Sequence, residues 1–177
     1  MPLIYRLIQT DLENSTNWAA FETLARWYAD PAIKYAIRPN FKEELMPDPS
    51  AEQLAAGYRL QDKLAWFIYE DDRLIGEVTL DPQFKMLCKP VEKTGWISLI
   101  IGEQDCWRRG YGSEAMQFLE NTCRVMDLKR IELGVFAFNE PAIRLYQRLG
   151  YTECGRLKHF TYKPDRWYDD IRMEKWL

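Results

Sequence analysis

Trp107-Arg108-Arg109-Gly110-Tyr111-Gly112-Ser113-Glu114-Ala115 sets two glycines between an apolar strand and the start of a helix. The strand is Trp96 to Ile101 (Trp-Ile-Ser-Leu-Ile-Ile), rich in β-branched residues. The helix is expected from Ser113 to Met126, because Ala115, Phe118, Leu119, Thr122 and Met126 recur on one face at helical spacing. At such a junction the first backbone N–H groups of the helix lack intrahelical acceptors and the helix dipole adds positive charge, so an anion is favoured there. Glycine lets the backbone approach a ligand with no Cβ in the way. Two glycines ahead of a helix also serve simply to turn the chain, and this stretch alone leaves both readings open.

A second segment, Asn139-Glu140-Pro141-Ala142-Ile143-Arg144-Leu145-Tyr146-Gln147-Arg148-Leu149-Gly150-Tyr151, follows a predicted strand from Arg130 to Val135. Together the two segments resemble the GNAT superfamily of acyl-CoA-dependent N-acyltransferases. Gly110 and Gly112 match its glycine loop, Gln/Arg-x-x-Gly-x-Gly/Ala, and Asn139, Ala142 and Tyr146 match its later Asn-x-x-Ala-x-x-x-Tyr helix. Trp107 stands where the leading Gln/Arg would be, as in the branch resembling ribosomal-protein-alanine and spermidine acetyltransferases. The ending, from Gly155-Arg156-Leu157 through Trp167-Tyr168-Asp169-Asp170-Ile171-Arg172-Met173, is similar to that branch too.

The resemblance implies acetyl-CoA as co-substrate. The amides of Arg108, Arg109, Gly110, Tyr111, Gly112 and Ser113 would cradle its pyrophosphate, with Arg109 adding charge-assisted contacts. Ile100, Ile101 and Gly102 would lie beside it, and the Ile100 backbone N–H would polarise the thioester carbonyl. Tyr146 would be the general acid for the departing thiolate; the competing reading puts it in the core with Ala142, Leu145 and Leu149. Asn139 is expected first as the N-cap of its helix and second as a cofactor contact. The family often places a glutamate four residues before the oxyanion amide, and that position here is Trp96. Glu103, Glu77 and Asp170 are the remaining candidate bases, Glu103 being taken as the base. Loss of the proton through water to an already neutral acceptor is the alternative, which suits a peptide α-amine (pKa ~8) better than a lysine (~10.4).

The 177 residues are long enough for a sizeable core and are read as one domain, 1–177. With 47% hydrophobic and 29% charged residues, the composition is that of a globular enzyme. No apolar run of about 20 residues is present, so no membrane partner is expected. Met1-Pro2-Leu3-Ile4-Tyr5-Arg6 lacks a basic region followed by an apolar one, which favours a cytoplasmic location. A net charge of −3 gives no general attraction for nucleic acid. Cys88, Cys106, Cys123 and Cys154 form no C-x-x-C pair and His159 is the sole histidine, so neither a metal site nor a histidine triad is expected.

Along the chain, Leu3–Gln9 reads as a strand and Asn14–Tyr28 as an amphipathic helix interrupted at Asp30-Pro31. Pro39–Pro49 reads as a loop, and Ser50-Ala51-Glu52-Gln53 as a capping box opening a helix to about Leu60. Leu64–Glu70 and Leu74–Leu80 form a hairpin, a long connection containing Pro82 and Pro90 follows, and Thr152–Tyr162 with Trp167–Trp176 forms a last hairpin around Pro164-Asp165. The expected class is α/β (α+β), a mixed, mostly antiparallel central sheet flanked by helices, as the resemblance also implies. The expected function is acetyl transfer to a small-molecule or peptide primary amine in a ternary complex, with Trp18, Trp27, Tyr28 and Tyr35 near the acceptor. A homodimer is left open. The rivals are a non-catalytic acyl-CoA sensor, which the missing glutamate at position 96 favours, and a dinucleotide-binding oxidoreductase, which the absent third glycine disfavours.

Overall fold

Alternating and β-branched segments pair into one seven-stranded sheet in the order β1-β2-β3-β4-β5-β7-β6. The computed structural model describes residues 2–8, 15–59 and 63–177. The strands are β1 Ile4–Leu7, β2 Leu64–Glu70, β3 Arg73–Asp81, β4 Thr94–Ile101, β5 Arg130–Phe136, β6 Thr152–Lys163 and β7 Arg166–Trp176. The helices are α1 Ser15–Ala29, α2 Lys34–Ile37, α3 Ala51–Arg59, α4 Tyr111–Val125 and α5 Glu140–Arg148. Only β4 and β5 run parallel; the other five pairings are antiparallel. The mixed, mostly antiparallel sheet expected from the sequence is the one present. The predicted ends at Gln9, Asn14 and Leu60 lie outside the described residues.

Each face of the sheet buries its own apolar cluster. Ala115, Met116, Leu119 and Cys123 of α4 and Tyr146 of α5 pack with Ile97, Ile131, Leu133 and Val135 on one face. Phe21, Leu24 and Trp27 of α1 and Ala51 and Ala55 of α3 pack with Phe67 and Ile100 on the other. The capping box forms as read: the Ser50 N–H donates to Gln53 Oε1 at 2.9 Å and the Gln53 N–H to Ser50 Oγ at 3.3 Å. The one-turn helix α2 was not anticipated. Its amides close on carbonyls left free after α1, Lys34 N–H to Asp30 O at 2.8 Å and Ala36 N–H to Ile33 O at 2.8 Å.

The connection from β3 to β4 is strapped down by buried charge. Arg130 and Glu132 on β5 are both fully buried and pair at 2.5 Å, and Arg130 also reaches Glu174 of β7 at 2.6 Å. Arg172 of β7 lies beside Glu132 at 3.8 Å, and bonds from this cluster reach the strap: Arg130 Nη1 donates to Lys89 O at 3.3 Å, Arg172 Nη1 to Met86 O at 3.2 Å, and the Cys88 N–H to Glu132 Oε1 at 2.6 Å. Buried ions tolerate burial only when paired and hydrogen-bonded in this way.

Candidate active site

β4 and β5 pair at Thr94–Arg130, Gly95–Ile131 and Trp96–Glu132, and the ladder stops there although β4 continues to Ile101 and β5 to Phe136. Beyond Trp96 the two strands hold only their outer partners, β3 and β7. The backbone of β4 therefore faces an opening on its β5 side. Which amides face it follows from alternation along the antiparallel ladder. The Gly102 N–H donates to Ile75 O at 2.9 Å, so residues of the same parity, Ile100 and Ser98, point their N–H groups at β3. A Cβ on Gly76 would lie 2.3 Å from the Ile100 carbonyl oxygen, which places that carbonyl on the β3 side as well. Ile100, expected as the oxyanion donor, is thus committed to the ladder, and the N–H groups that face the opening are those of Leu99 and Ile101. Gly102 spends its N–H on Ile75, and a Cβ there would fall 2.0 Å from the Trp27 ring.

The glycine loop meets the start of α4 as read, with the helix beginning two residues earlier, at Tyr111. Arg108 and Gly110 both have left-handed backbone, φ +63° and +89°. Ser113 and Glu114 return their N–H groups to Gly110 O at 2.9 and 3.2 Å. The amides of Arg108 to Gly112 make no backbone hydrogen bond among the described residues, so they remain free for an anion. Nothing lies within 4 Å of a Cβ built on Gly110, whereas one on Gly112 meets Leu145 Cδ2 at 3.0 Å. The two glycines differ in purpose: Gly110 turns the chain, and Gly112 admits α5. Arg109, expected to contact the cofactor, is held by Glu70 at 2.7 Å and lies over the Tyr111 ring. The Trp107 indole donates to Ile101 O at 2.8 Å, so the donor at the family's Gln/Arg position is used to close the end of β4.

Tyr146 projects from α5 into the cluster that holds Ile97 of β4 and Leu133 and Val135 of β5, the residues on either side of the opening. Burial pushes its phenol up to about 12, so it stays protonated at neutral pH. Tyr146 is 8% exposed, and its ring lies 6.0 Å from that of Tyr151. Asn139 Oδ1 accepts from the Ala142 N–H at 3.4 Å and caps α5, with Pro141 in the first turn.

The three candidate carboxylates have different surroundings. Glu103, taken as the base, is bound by Arg26, by the Trp27 indole at 2.8 Å and by Arg73 at 2.9 Å. Burial raises its pKa, but those donors together hold it below the usual glutamate value. Glu103 thus ties α1, through Arg26 and Trp27, to β3, through Arg73. Asp170 is buried and pairs with Arg172 at 2.6 Å. Glu77 on β3 is 3% exposed; it accepts from the Tyr58 hydroxyl on Oε1, and its Oε2 has no partner among the described residues.

Trp96 stacks between Phe84 of the strap, at 4.4 Å, and the Arg172 guanidinium, 4.6 Å from its ring. Beside it, Ser98 is solvent-exposed although it lies in the fourth of seven strands. Ser98 is hydrogen-bonded to Thr79 at 2.6 Å. Of the four aromatics expected near the acceptor, Trp27 and Tyr35 are buried, while Tyr28 and Trp18 are partly exposed. Tyr58, Lys63 and Ser98 were missed. Tyr58 had a signal, since Ala51, Ala55 and Tyr58 share a face of α3 at helical spacing; Lys63 and Ser98 had none. His159 has a φ of +49° and donates its backbone N–H to Asp169 at 3.0 Å, a structural role. Among the described residues no three His, Cys, Asp or Glu side chains are placed to hold a metal ion, and no helix is long and apolar enough to cross a membrane.

Residues 21–151 match the profile of the family described as Acetyltransferase (GNAT) family. The phosphinothricin N-acetyltransferase of Streptomyces viridochromogenes is 27% identical over 133 residues, covering 73% of this chain and 69% of that protein. Among solved structures, the spermidine N-acetyltransferase of Vibrio cholerae, in complex with CoA and spermine, is similar at a TM-score of 0.75 and 18% identity, over 98% of this chain and 95% of that one. The ribosomal-protein-alanine N-acetyltransferase of Brucella melitensis is similar at a TM-score of 0.69 and 20% identity, over 98% and 99% of the two chains.

Proposed function

Because the chain belongs to the Acetyltransferase (GNAT) family, and so is an acyl-CoA-dependent N-acetyltransferase, we propose that it passes the acetyl group of acetyl-CoA directly to a primary amine within a ternary complex. The observation that carries this reading is the opening between β4 and β5 beyond Trp96, with the unbonded amides of Arg108 to Gly112 at the start of the adjoining helix. A cradle of free amides fits a pyrophosphate, and a parted strand pair fits an extended arm that needs backbone partners.

When bound, acetyl-CoA supplies an acetyl group activated as a thioester. The amides of Leu99 and Ile101 would orient the acyl arm and stabilise negative charge on its carbonyl oxygen. Tyr146 holds a proton for the departing sulfur. The acceptor would come in over the exposed Ser98, beside Phe84 and Trp96, on the opposite face of the sheet from α4 and α5. The four unpaired cysteines support a reducing, cytoplasmic setting.

The names of the relatives set the acceptor panel: phosphinothricin, polyamines and peptides with N-terminal alanine, with aminoglycosides added. Thiol release from acetyl-CoA is measured against each. Turnover with one class, by sequential kinetics, is the expected result. Tight acetyl-CoA binding with no turnover across the panel would overturn it in favour of an acyl-CoA sensor, the reading that Trp96 at the customary glutamate position favours.

A further inference from the structure

An acceptor amine arrives as an ammonium ion and must shed a proton before its lone pair can attack. Trp96 cannot take that proton, the Glu103 oxygens are filled by two arginines and an indole, and Asp170 is neutralised by Arg172. Glu77 differs from all of these. Its cross-strand partner is Ile100, and the neighbouring pair on the same face is Thr79 and Ser98, so its carboxylate stands one pair along from the exposed Ser98. Oε1 is fixed by the Tyr58 hydroxyl, and Oε2 is buried with no partner among the described residues. A native fold seldom leaves such an atom unsatisfied unless a ligand or water completes it.

We propose that Glu77 is the proton acceptor of the transfer, taking the acceptor's proton on Oε2, directly or across one water, beside Ser98. The inference rests on the N-acetyltransferase reading above. In this step an ammonium N–H bond breaks, an O–H bond forms at Oε2, and the nitrogen keeps the electron pair that makes the new C–N bond. The C–S bond breaks, the sulfur leaves with a proton from Tyr146, the phenol regains one from the nitrogen, and Glu77 returns its own to water.

The groups that face Glu77 are Tyr28 from α1, Tyr58 from α3 and Lys63 ahead of β2, while β4 offers only Ile100 and Ser98. Burial raises the Glu77 pKa, and the Tyr58 hydrogen bond and the Lys63 charge only partly offset it. A carboxylate so poised accepts a proton from an amine more readily than an exposed one does.

The test uses the full chain and the best amine of the panel, with kcat/KM measured against pH. Glu77→Gln keeps the shape and the Tyr58 partner, and should lower kcat by at least about 100-fold and abolish the acid limb, while acetyl-CoA affinity by calorimetry stays near wild type. Tyr58→Phe removes a bond that holds the pKa down, so its acid limb should move to higher pH. If Glu77→Gln fails to fold, Tyr58→Phe and Glu77→Asp still report the limb. A folded Glu77→Gln protein with wild-type kcat and an unchanged limb overturns the inference, and so does a Tyr58→Phe limb that stays in place. A wild-type chain that binds acetyl-CoA but acetylates no amine fails the N-acetyltransferase reading itself, a result distinct from either.

Discussion

A Cβ on Gly112 would meet Leu145 Cδ2 at 3.0 Å, so the second loop glycine faces α5 and regulates how closely two helices approach. Gly112→Val should therefore act mainly through packing, costing about 1–3 kcal/mol as an overfilled core position does. Gly110→Ala meets no atom but must hold φ at +89°, a strain of about 1–2 kcal/mol. Thermal melts with and without CoA separate the two. A Gly112→Val protein as stable as wild type would refute the packing role.

Tyr146→Phe keeps the ring in its cluster and deletes the hydroxyl alone. If the phenol protonates the leaving sulfur, kcat should fall at least about tenfold with acetyl-CoA affinity unchanged. The effect should shrink for a thioester with a better leaving group. Wild-type kcat in the folded variant would return Tyr146 to a purely structural role.

Glu103→Gln retains an acceptor for the Trp27 indole but removes the charge that joins Arg26 and Arg73. It should lower Tm and leave kcat within about twofold, as expected for loss of a charged hydrogen bond outside the chemistry. Because the folded pKa of Glu103 is depressed, its stabilisation is present above the unfolded value and is lost as pH falls through the folded one. The Tm gap between wild type and variant should close in acid, and a constant gap from pH 7 to pH 3 would contradict the assignment.

Glu77 has the opposite sign. Its folded pKa is raised, so its contribution is fully present below the unfolded pKa and is lost as pH rises through the folded one. Glu77→Gln should thus melt at a higher temperature than wild type at pH 8 and lose that advantage near pH 4. A variant less stable than wild type at both pH values would show that the charge is not being borne at a cost.

Native labelling with iodoacetamide should modify Cys88 first, because Cys106 and Cys123 are buried and burial pushes Cys123 up to about 12 and Cys154 up to about 11. Direct transfer needs no thiol, so turnover should survive. Mass spectrometry locates the label, and an acetylated cysteine with ping-pong kinetics would replace the ternary mechanism.

Much of this arrangement was legible in the chain because its causes are local. The apolar run Trp96 to Ile101, the glycines at 110 and 112 and the Asn139 cap each declare themselves within a few residues. The direction of the Ile100 N–H is not legible in the chain, because it depends on register with β3, and nothing near Ile100 in the sequence encodes its pairing with Glu77. The surroundings of Glu103 are hidden for a related reason: the arginines that bind it stand 77 and 30 positions away. The exposure of Ser98 is likewise a property of what does not cover it.

The strap between β3 and β4 is held through the carbonyls of Met86 and Lys89 and the amide of Cys88, atoms that nearly every amino acid possesses, with the Lys89 ammonium on Glu174 and the Phe84 ring on Trp96 as side-chain ties. Its course is consequently indifferent to most of its own side chains. Point changes from Pro82 to Val91 can re-shape the wall beside Trp96 without unseating it, which makes this segment a place where acceptor preference is free to drift while the scaffold is inherited intact.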